Sequence, residues 1–343
     1  MAGHELSATI FMLFVFTFFF ILPSISLPFV VLHGISDSCS KTKVKRFTKL
    51  LTNWSGCQGY CIEIGDGAWD SWFMPLMKQT EIACEKVKKI DELIDGYNLV
   101  GLSQGAMIGR GLIEFCDGGP QVNNFISLAG PHAGIASVPL CGSEVVCILV
   151  DYLIELEVYG AYVQEHLAPS NYIKIPTDIK SYLKGCKFLP QLNNEIKNRK
   201  NSTYKERFSS IEKLVLIMFE NDTVLVPKET SLFGYYPDGS FDTVLPANET
   251  LLYTEDWIGL KTLVEAGKVE FINVTGGHLE ITESIMKEYI VPYLEDEDLM
   301  QIIVRRSSIY RWFLRLWNSF MELLFGFPED GLNDNTMKLL STE

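Results

Sequence analysis

Short apolar runs rich in β-branched residues alternate with amphipathic stretches through the first 130 residues of the chain. Pro28 to His33 is one such run, and its His33-Gly34 ending predicts a buried strand followed by a tight turn. Tyr60 to Ile64 predicts a second strand, closed by Gly65-Asp66-Gly67. Apolar residues at helical spacing from Ser71 to Leu93 (Phe73, Leu76, Met77, Ile82, Val87, Ile90) predict a helix. Tyr97 to Leu102 predicts a strand that runs into a helix over Gln104 to Phe115. Val122 to Leu128 predicts another strand before Gly130-Pro131. Such alternation predicts an α/β fold, a mostly parallel central sheet flanked by crossover helices.

The alternation then breaks. From about His132 to Ser210 the chain is rich in Tyr, Leu and polar residues, with helical spacing in Val145 to Leu156 and in Ala161 to Leu167. This predicts a helical insertion over the sheet, a lid or second lobe. The strand pattern resumes at Lys213 to Phe219 and again at Lys268 to Val274, and Glu280 to Leu294 predicts the last helix of the body. The expected organisation is a first part of the core at 27–131, the insertion at 132–211, a second part at 212–295 and a C-terminal extension at 296–343.

In that extension, Ile302, Ile309, Phe313, Leu316, Trp317, Phe320 and Leu324 form an apolar stripe opposite Arg305, Arg311 and Arg315. An amphipathic helix of this kind suits either contact with a membrane surface or packing on the body, and its arginines rule out a bilayer span.

At the other end, an apolar run from Ile10 to Leu22 stops at Pro23, and Ser24 and Ser26 give a small-x-small pattern before Leu27. That layout predicts a secretory signal peptide over 1–26; the run is short for a spanning anchor. Eight cysteines and five Asn-x-Ser/Thr sequons (Asn53, Asn201, Asn221, Asn248 and Asn273) agree with an oxidising, glycosylating lumen. Cys57 and Cys61 form too isolated a pair for zinc and are expected to bridge as a short loop; no metal or organic cofactor is implied. The net charge of −14, from 29 basic and 43 acidic side chains, disfavours nucleic acid as a partner.

The chemistry concentrates in three places. Gly101-Leu102-Ser103-Gln104-Gly105 lies between a predicted strand and a predicted helix, the context of a nucleophile elbow that thrusts a serine hydroxyl outward. A serine hydroxyl needs a base, and the base an orienting carboxylate, in the chain order Ser, Asp, His. Asp222 follows one late strand and His278 the next. His33, His132 and His166 compete as base, and Asp242 and Asp256 as carboxylate. His33 precedes the serine, and His132 stands close behind it. Backbone N–H groups for an oxyanion are expected from Gln104 and from the His33-Gly34-Ile35 loop.

On these residues the chain resembles the palmitoyl-protein thioesterases, α/β-hydrolase-fold enzymes that remove fatty acyl groups from cysteine. The matching stretches include Leu32 to Cys39, Gly96-Tyr97-Asn98 with the serine motif, Asn221-Asp222-Thr223-Val224, Leu252 to Asp256 with Ile258 to Lys261, and Gly277-His278-Leu279. They run collinearly from about Leu27 to Leu294. The resemblance implies Ser103 as nucleophile, Asp222 as orienter, His278 as base, and oxyanion donors at Ile35 and Gln104. It further implies disulfides Cys84–Cys116 and Cys141–Cys147, an acyl groove near Gly160 to Leu167, S-palmitoylated proteins or long-chain acyl thioesters as substrates, and a lysosome, vacuole or cell exterior as location. Ile35 stands where the family usually has Met, Cys39 lacks the adjacent cysteine of mammalian members, and Cys186 either pairs with Cys39 or stays free. A lipase or carboxylesterase acting on oxygen esters would use the same groups, and a non-catalytic binding protein of this fold is the remaining alternative.

Overall fold

The computed structural model describes residues 27–136 and 157–295. Its centre is a sheet of six parallel strands in the order β2-β1-β3-β4-β5-β6. In chain order, β1 is Phe29–Leu32, followed by α1 at Thr42–Ser55, β2 at Gly59–Cys61, α2 at Asp70–Phe73 and α3 at Leu76–Val87. β3 (Tyr97–Leu102) leads into α4 (Gln104–Phe115), then β4 (Val122–Leu128). The segment that follows holds α5 (Ala161–His166), α6 (Ile179–Gly185), α7 (Leu189–Leu192) and α8 (Ser202–Ser209). β5 (Lys213–Phe219), α9 (Leu251–Thr254), α10 (Leu260–Glu265), β6 (Val269–Val274) and α11 (Glu283–Tyr289) complete it.

Strands β1 and β3 are buried at every residue, and β5 at every residue but its first. A parallel strand covered by helices on both faces is mostly apolar, which is why these segments read as near-continuous hydrophobic runs. The helix predicted over Ser71 to Leu93 is two helices: Met74 is extended and Pro75 caps α3, because proline lacks the N–H that would continue α2. Between β4 and β5 the described residues contain helices and one isolated bridge, Ile135 to Ile173, in agreement with the helical character expected there.

Two disulfides are present among the described residues: Cys84–Cys116 ties the end of α3 to the end of α4, and Cys39–Cys61 ties the loop after β1 to β2. The expected Cys57–Cys61 bridge is therefore corrected. Cys57 is a buried thiol that donates to the Leu294 carbonyl at 3.1 Å, and Cys61 points to Cys39 instead. Cys186 is likewise a buried thiol, donating to the Asn171 carbonyl at 3.2 Å, and burial pushes its pKa up to about 12. Cys141 and Cys147, the expected signal peptide at 1–26 and the expected amphipathic helix of the C-terminal extension lie outside the described residues. Within them, no helix is long and apolar enough to cross a membrane.

Candidate active site

The turn from β3 into α4 is set by its glycines. A Cβ on Gly105 would stand 2.3 Å from the Leu32 carbonyl oxygen and 2.6 Å from that of His33, so α4 can start against the end of β1 only without a side chain there. Gly101 faces Ala106 equally closely, with 2.5 Å to its Cα. Between them Ser103 sits at φ 52°, ψ −119°, a strained conformation for a residue with a side chain. Its N–H donates to the Leu128 carbonyl at 2.8 Å, which anchors the turn to β4. The result lifts the hydroxyl off the sheet while the first N–H groups of α4 remain without helical acceptors.

The other two groups arrive from the ends of β5 and β6. Asp222 follows β5, its carboxylate fully buried, with Oδ1 accepting the N–H groups of Val224 (2.8 Å) and Leu225 (3.1 Å). Its Oδ2 lies 2.6 Å from His278 Nδ1. His278 follows β6, past a turn in which Gly276 takes φ 120° and the Gly277 N–H donates to Glu280 at 2.9 Å. The two loops are joined through the Asn221 N–H, which donates to the Gly276 carbonyl at 3.0 Å. His278 Nε2 completes the chain at 2.9 Å from Ser103 Oγ. Because a carboxylate only accepts, Nδ1 carries the proton toward Asp222. Nε2 of the neutral ring is then free to accept from the serine hydroxyl.

Gly34 packs against the same turn, where a Cβ would lie 3.1 Å from the Leu102 oxygen and 3.3 Å from Ser103 Cβ. This places the His33-Gly34-Ile35 loop beside the serine. Among the described residues, neither the Ile35 N–H nor the Gln104 N–H has a protein acceptor. The Gln104 side chain is engaged elsewhere, Nε2 donating to the Ser71 carbonyl at 2.7 Å and Oε1 accepting from Tyr172 at 3.1 Å. Ser71 Oγ also accepts the Ser36 N–H at 2.8 Å. Ser71, Tyr172 and Glu63, which contacts His33, support the site from outside its motifs. No local pattern marks them, since each acts through a contact distant in sequence.

The competing residues are occupied elsewhere. His132 is buried with Nε2 2.7 Å from Ser127 Oγ, and its ring stacks on Phe233. His166 faces the Tyr162 carbonyl of its own helix. Asp256 caps α10 through the Lys261 N–H at 2.9 Å, and Asp242 is exposed. In the stretch expected near the acyl groove, Tyr162 is exposed and stacks on His166, and Tyr159 just before it accepts the Ile175 N–H at 3.0 Å. Asn53, Asn221, Asn248 and Asn273 are exposed, and Asn201, half-buried, caps α8 through the Thr203 N–H at 2.9 Å. One group of potential metal ligands comes together among the described residues: His33, Cys39 and Glu63. It does not suit a metal, because the Cys39 sulfur is bonded to Cys61 and both ring nitrogens of His33 face protein acceptors.

The sequence profile of the family described as palmitoyl protein thioesterase matches residues 28–278. The chain is 36% identical to palmitoyl-protein thioesterase 1 of Caenorhabditis elegans over 271 residues, covering 77% of this chain and 90% of that one. It is 33% identical to palmitoyl-protein thioesterase 3 of Dictyostelium discoideum over 277 residues (79% and 91%). It is 29% identical to lysosomal thioesterase PPT2 of Mus musculus over 258 residues (71% and 78%). The matched span begins one residue before β1 and ends on His278, so it takes in the whole sheet and all three hydrogen-bonded side chains, and on that extent the chain belongs to the palmitoyl-protein thioesterase family.

Proposed function

We propose that the protein hydrolyses the thioester between a long-chain fatty acyl group and a protein cysteine. Ser103 is the nucleophile, His278 the general base and acid, and Asp222 the orienting carboxylate. The observation that carries the reading is the continuous hydrogen-bonded chain Ser103–His278–Asp222, at 2.9 Å and 2.6 Å, on a strained strand-to-helix turn.

His278 Nε2 takes the hydroxyl proton as Ser103 Oγ bonds to the thioester carbonyl carbon. The negative charge that develops on the carbonyl oxygen meets the N–H groups of Ile35 and Gln104; each such donor is worth about 2.7–4 kcal/mol of barrier. The carbon–sulfur bond then breaks, and the sulfur leaves with the proton held on His278. Water attacks the acyl-serine, giving its proton to the same ring, and Ser103 Oγ recovers that proton as the fatty acid departs. The buried Asp222 carboxylate stabilises the imidazolium formed in each half. Family membership favours the thioester over the oxygen ester.

Two disulfides, five exposed or half-exposed sequons, the signal-like N-terminus and a relative named as lysosomal support a secretory-pathway location, with the lysosome or vacuole lumen foremost. In the same reading the five sequon asparagines carry glycans, and Cys141 pairs with Cys147.

The test is hydrolysis of matched palmitoyl thioester and palmitoyl oxygen-ester substrates by wild type and Ser103→Ala. We expect thioester preference, and a loss of at least about a thousandfold in kcat with Ser103→Ala. Preference for the oxygen ester would make the protein a lipase or carboxylesterase. Absence of activity on both, in folded protein, would leave only a binding role.

A further inference from the structure

The loop from His33 to Lys41 joins β1 to α1 and carries Ile35, whose N–H is the oxyanion donor proposed above. Nine residues outside any strand or helix need ties to hold one peptide group in a fixed orientation. One tie is the Cys39–Cys61 disulfide. Two more come from a single side chain, Glu63, just beyond Cys61. Its Oε1 lies 2.9 Å from His33 Nε2, and its Oε2 accepts the Cys39 N–H at 2.8 Å. One carboxylate thus bridges the first residue of the loop to Cys39 near its far end. A turn closes over it, since a Cβ on Gly67 would stand 2.8 Å from Glu63 Oε1.

The His33 ring passes this restraint inward. Its Nδ1 is 3.0 Å from the Gly34 carbonyl oxygen, an acceptor only, so Nδ1 donates. Nε2 faces the Glu63 carboxylate at 2.9 Å, so the ring is held at both nitrogens. The Gly34 carbonyl and the Ile35 N–H belong to the same peptide group. In a trans peptide they point in opposite directions, so a donor that holds the carbonyl also aims the N–H.

We propose that Glu63 is a positioning residue for thioester hydrolysis: it fixes His33, His33 fixes the Gly34 carbonyl, and the Ile35 N–H is thereby held in place for the oxyanion. The inference rests on Ile35 serving as a donor in the proposed reaction. Glu63 touches no reacting atom, so its removal acts on the transition state and leaves acyl-chain binding intact.

Glu63→Ala, Glu63→Gln and His33→Phe are assayed on a palmitoyl thioester, together with binding of palmityl trifluoromethyl ketone, which adds to the serine as an oxyanion, and of palmitate. Glu63→Ala is expected to lower kcat about ten- to a hundredfold, the scale of a misplaced rather than a lost donor, with KM changed less than about twofold. Affinity for the ketone falls in proportion, and affinity for palmitate stays constant. Glu63→Gln restores most of kcat, because its amide oxygen accepts the Cys39 N–H and its NH2 donates to a neutral His33. Should Glu63→Ala not fold, His33→Phe keeps the ring volume, removes the Nδ1 donor and is expected to show the same kcat loss. Unchanged kcat in Glu63→Ala or His33→Phe, a rise in KM alone, or a Glu63→Gln as impaired as Glu63→Ala overturns the proposal. Ser103→Ala run alongside separates the two failures: if it retains activity, the assignment of the nucleophile fails rather than the role of Glu63.

Discussion

Asp222 shows how much a single carboxylate is asked to do. One oxygen is consumed by two backbone N–H groups of its own turn, which fixes the side chain, and the other is left for His278 at 2.6 Å. An asparagine would fit the space but would present an amide NH2 to Nδ1 or lose the turn. The ring would then favour the tautomer with its proton on Nε2, which cannot accept from Ser103. We expect Asp222→Asn to fold with wild-type stability within about 1 kcal/mol and to lower kcat by about 10³–10⁴-fold. Measurement of kcat beside a thermal melt checks this, and a fall of less than tenfold in folded protein would remove Asp222 from the mechanism. At this scale the sequence was informative because the chemistry is local: a glycine before and after Ser103, a carboxylate and an imidazole each just past a strand. Glu63, Ser71 and Tyr172 were illegible for the opposite reason. Each is an ordinary residue whose partner lies 24 to 68 positions away.

Among the elements, the buried strands were readable and the helices less so. β3, β4 and β5 have the predicted limits, since each is mostly buried and its apolar run stands out from the polar and glycine-containing turns beside it. The predicted elements do not include α1, although Val44, Phe47 and Leu51 are buried and Leu50 and Trp54 pack beside them at helical spacing among its Lys and Thr residues. The misassigned bridge has its own origin: spacing suggested Cys57 with Cys61, but residues four apart across a turn into a strand point to different sides. The real partner, Cys39, is 22 positions from Cys61 and becomes a neighbour only when β1 and β2 pair. Closing a loop of that length restricts the unfolded chain by about 3 kcal/mol. The double variant Cys39→Ser/Cys61→Ser is therefore expected to lose about 2–4 kcal/mol in urea unfolding, with the unfolding slope increased as the unfolded chain expands. A loss below 0.5 kcal/mol would mean that Glu63 and the sheet already hold the loop without the sulfur bridge.

The largest departure from a plain apolar core joins α4 to the helical segment between β4 and β5, and it makes the stability of the molecule depend on pH in two opposed ways. Arg110 on α4 is wholly buried; its guanidinium donates to Glu114 (3.0 Å), Asn193 (2.8 Å) and the Leu192 carbonyl (3.0 Å), and lies 5.2 Å from the rings of Phe208 and Phe233. Burial pushes the Glu114 carboxyl up to about 7, against the pull of Arg110. Beside them His132 is held neutral, its pKa lowered well below the ordinary value by burial first and by Arg110 second. For Glu114 the folded pKa exceeds the unfolded one, so its contribution is complete below about pH 4.5 and is lost as pH rises toward 7. For His132 the folded pKa is depressed, so its contribution is complete above about pH 6.5 and is lost as pH falls. Between pH 4.5 and 6.5, the range of an acidic lumen, the two slopes oppose each other, each at up to about 1.4 kcal/mol per pH unit. His132→Gln removes one of them while leaving a hydrogen-bonding group for Ser127. Urea unfolding across that range should show the variant losing less stability toward acid than wild type, by up to about 1.4 kcal/mol per unit, whatever its absolute stability. Parallel curves would mean that His132 takes up its proton in the folded protein as readily as in the unfolded chain. In that case Arg110 and Glu114 would have to rearrange to admit a second buried cation.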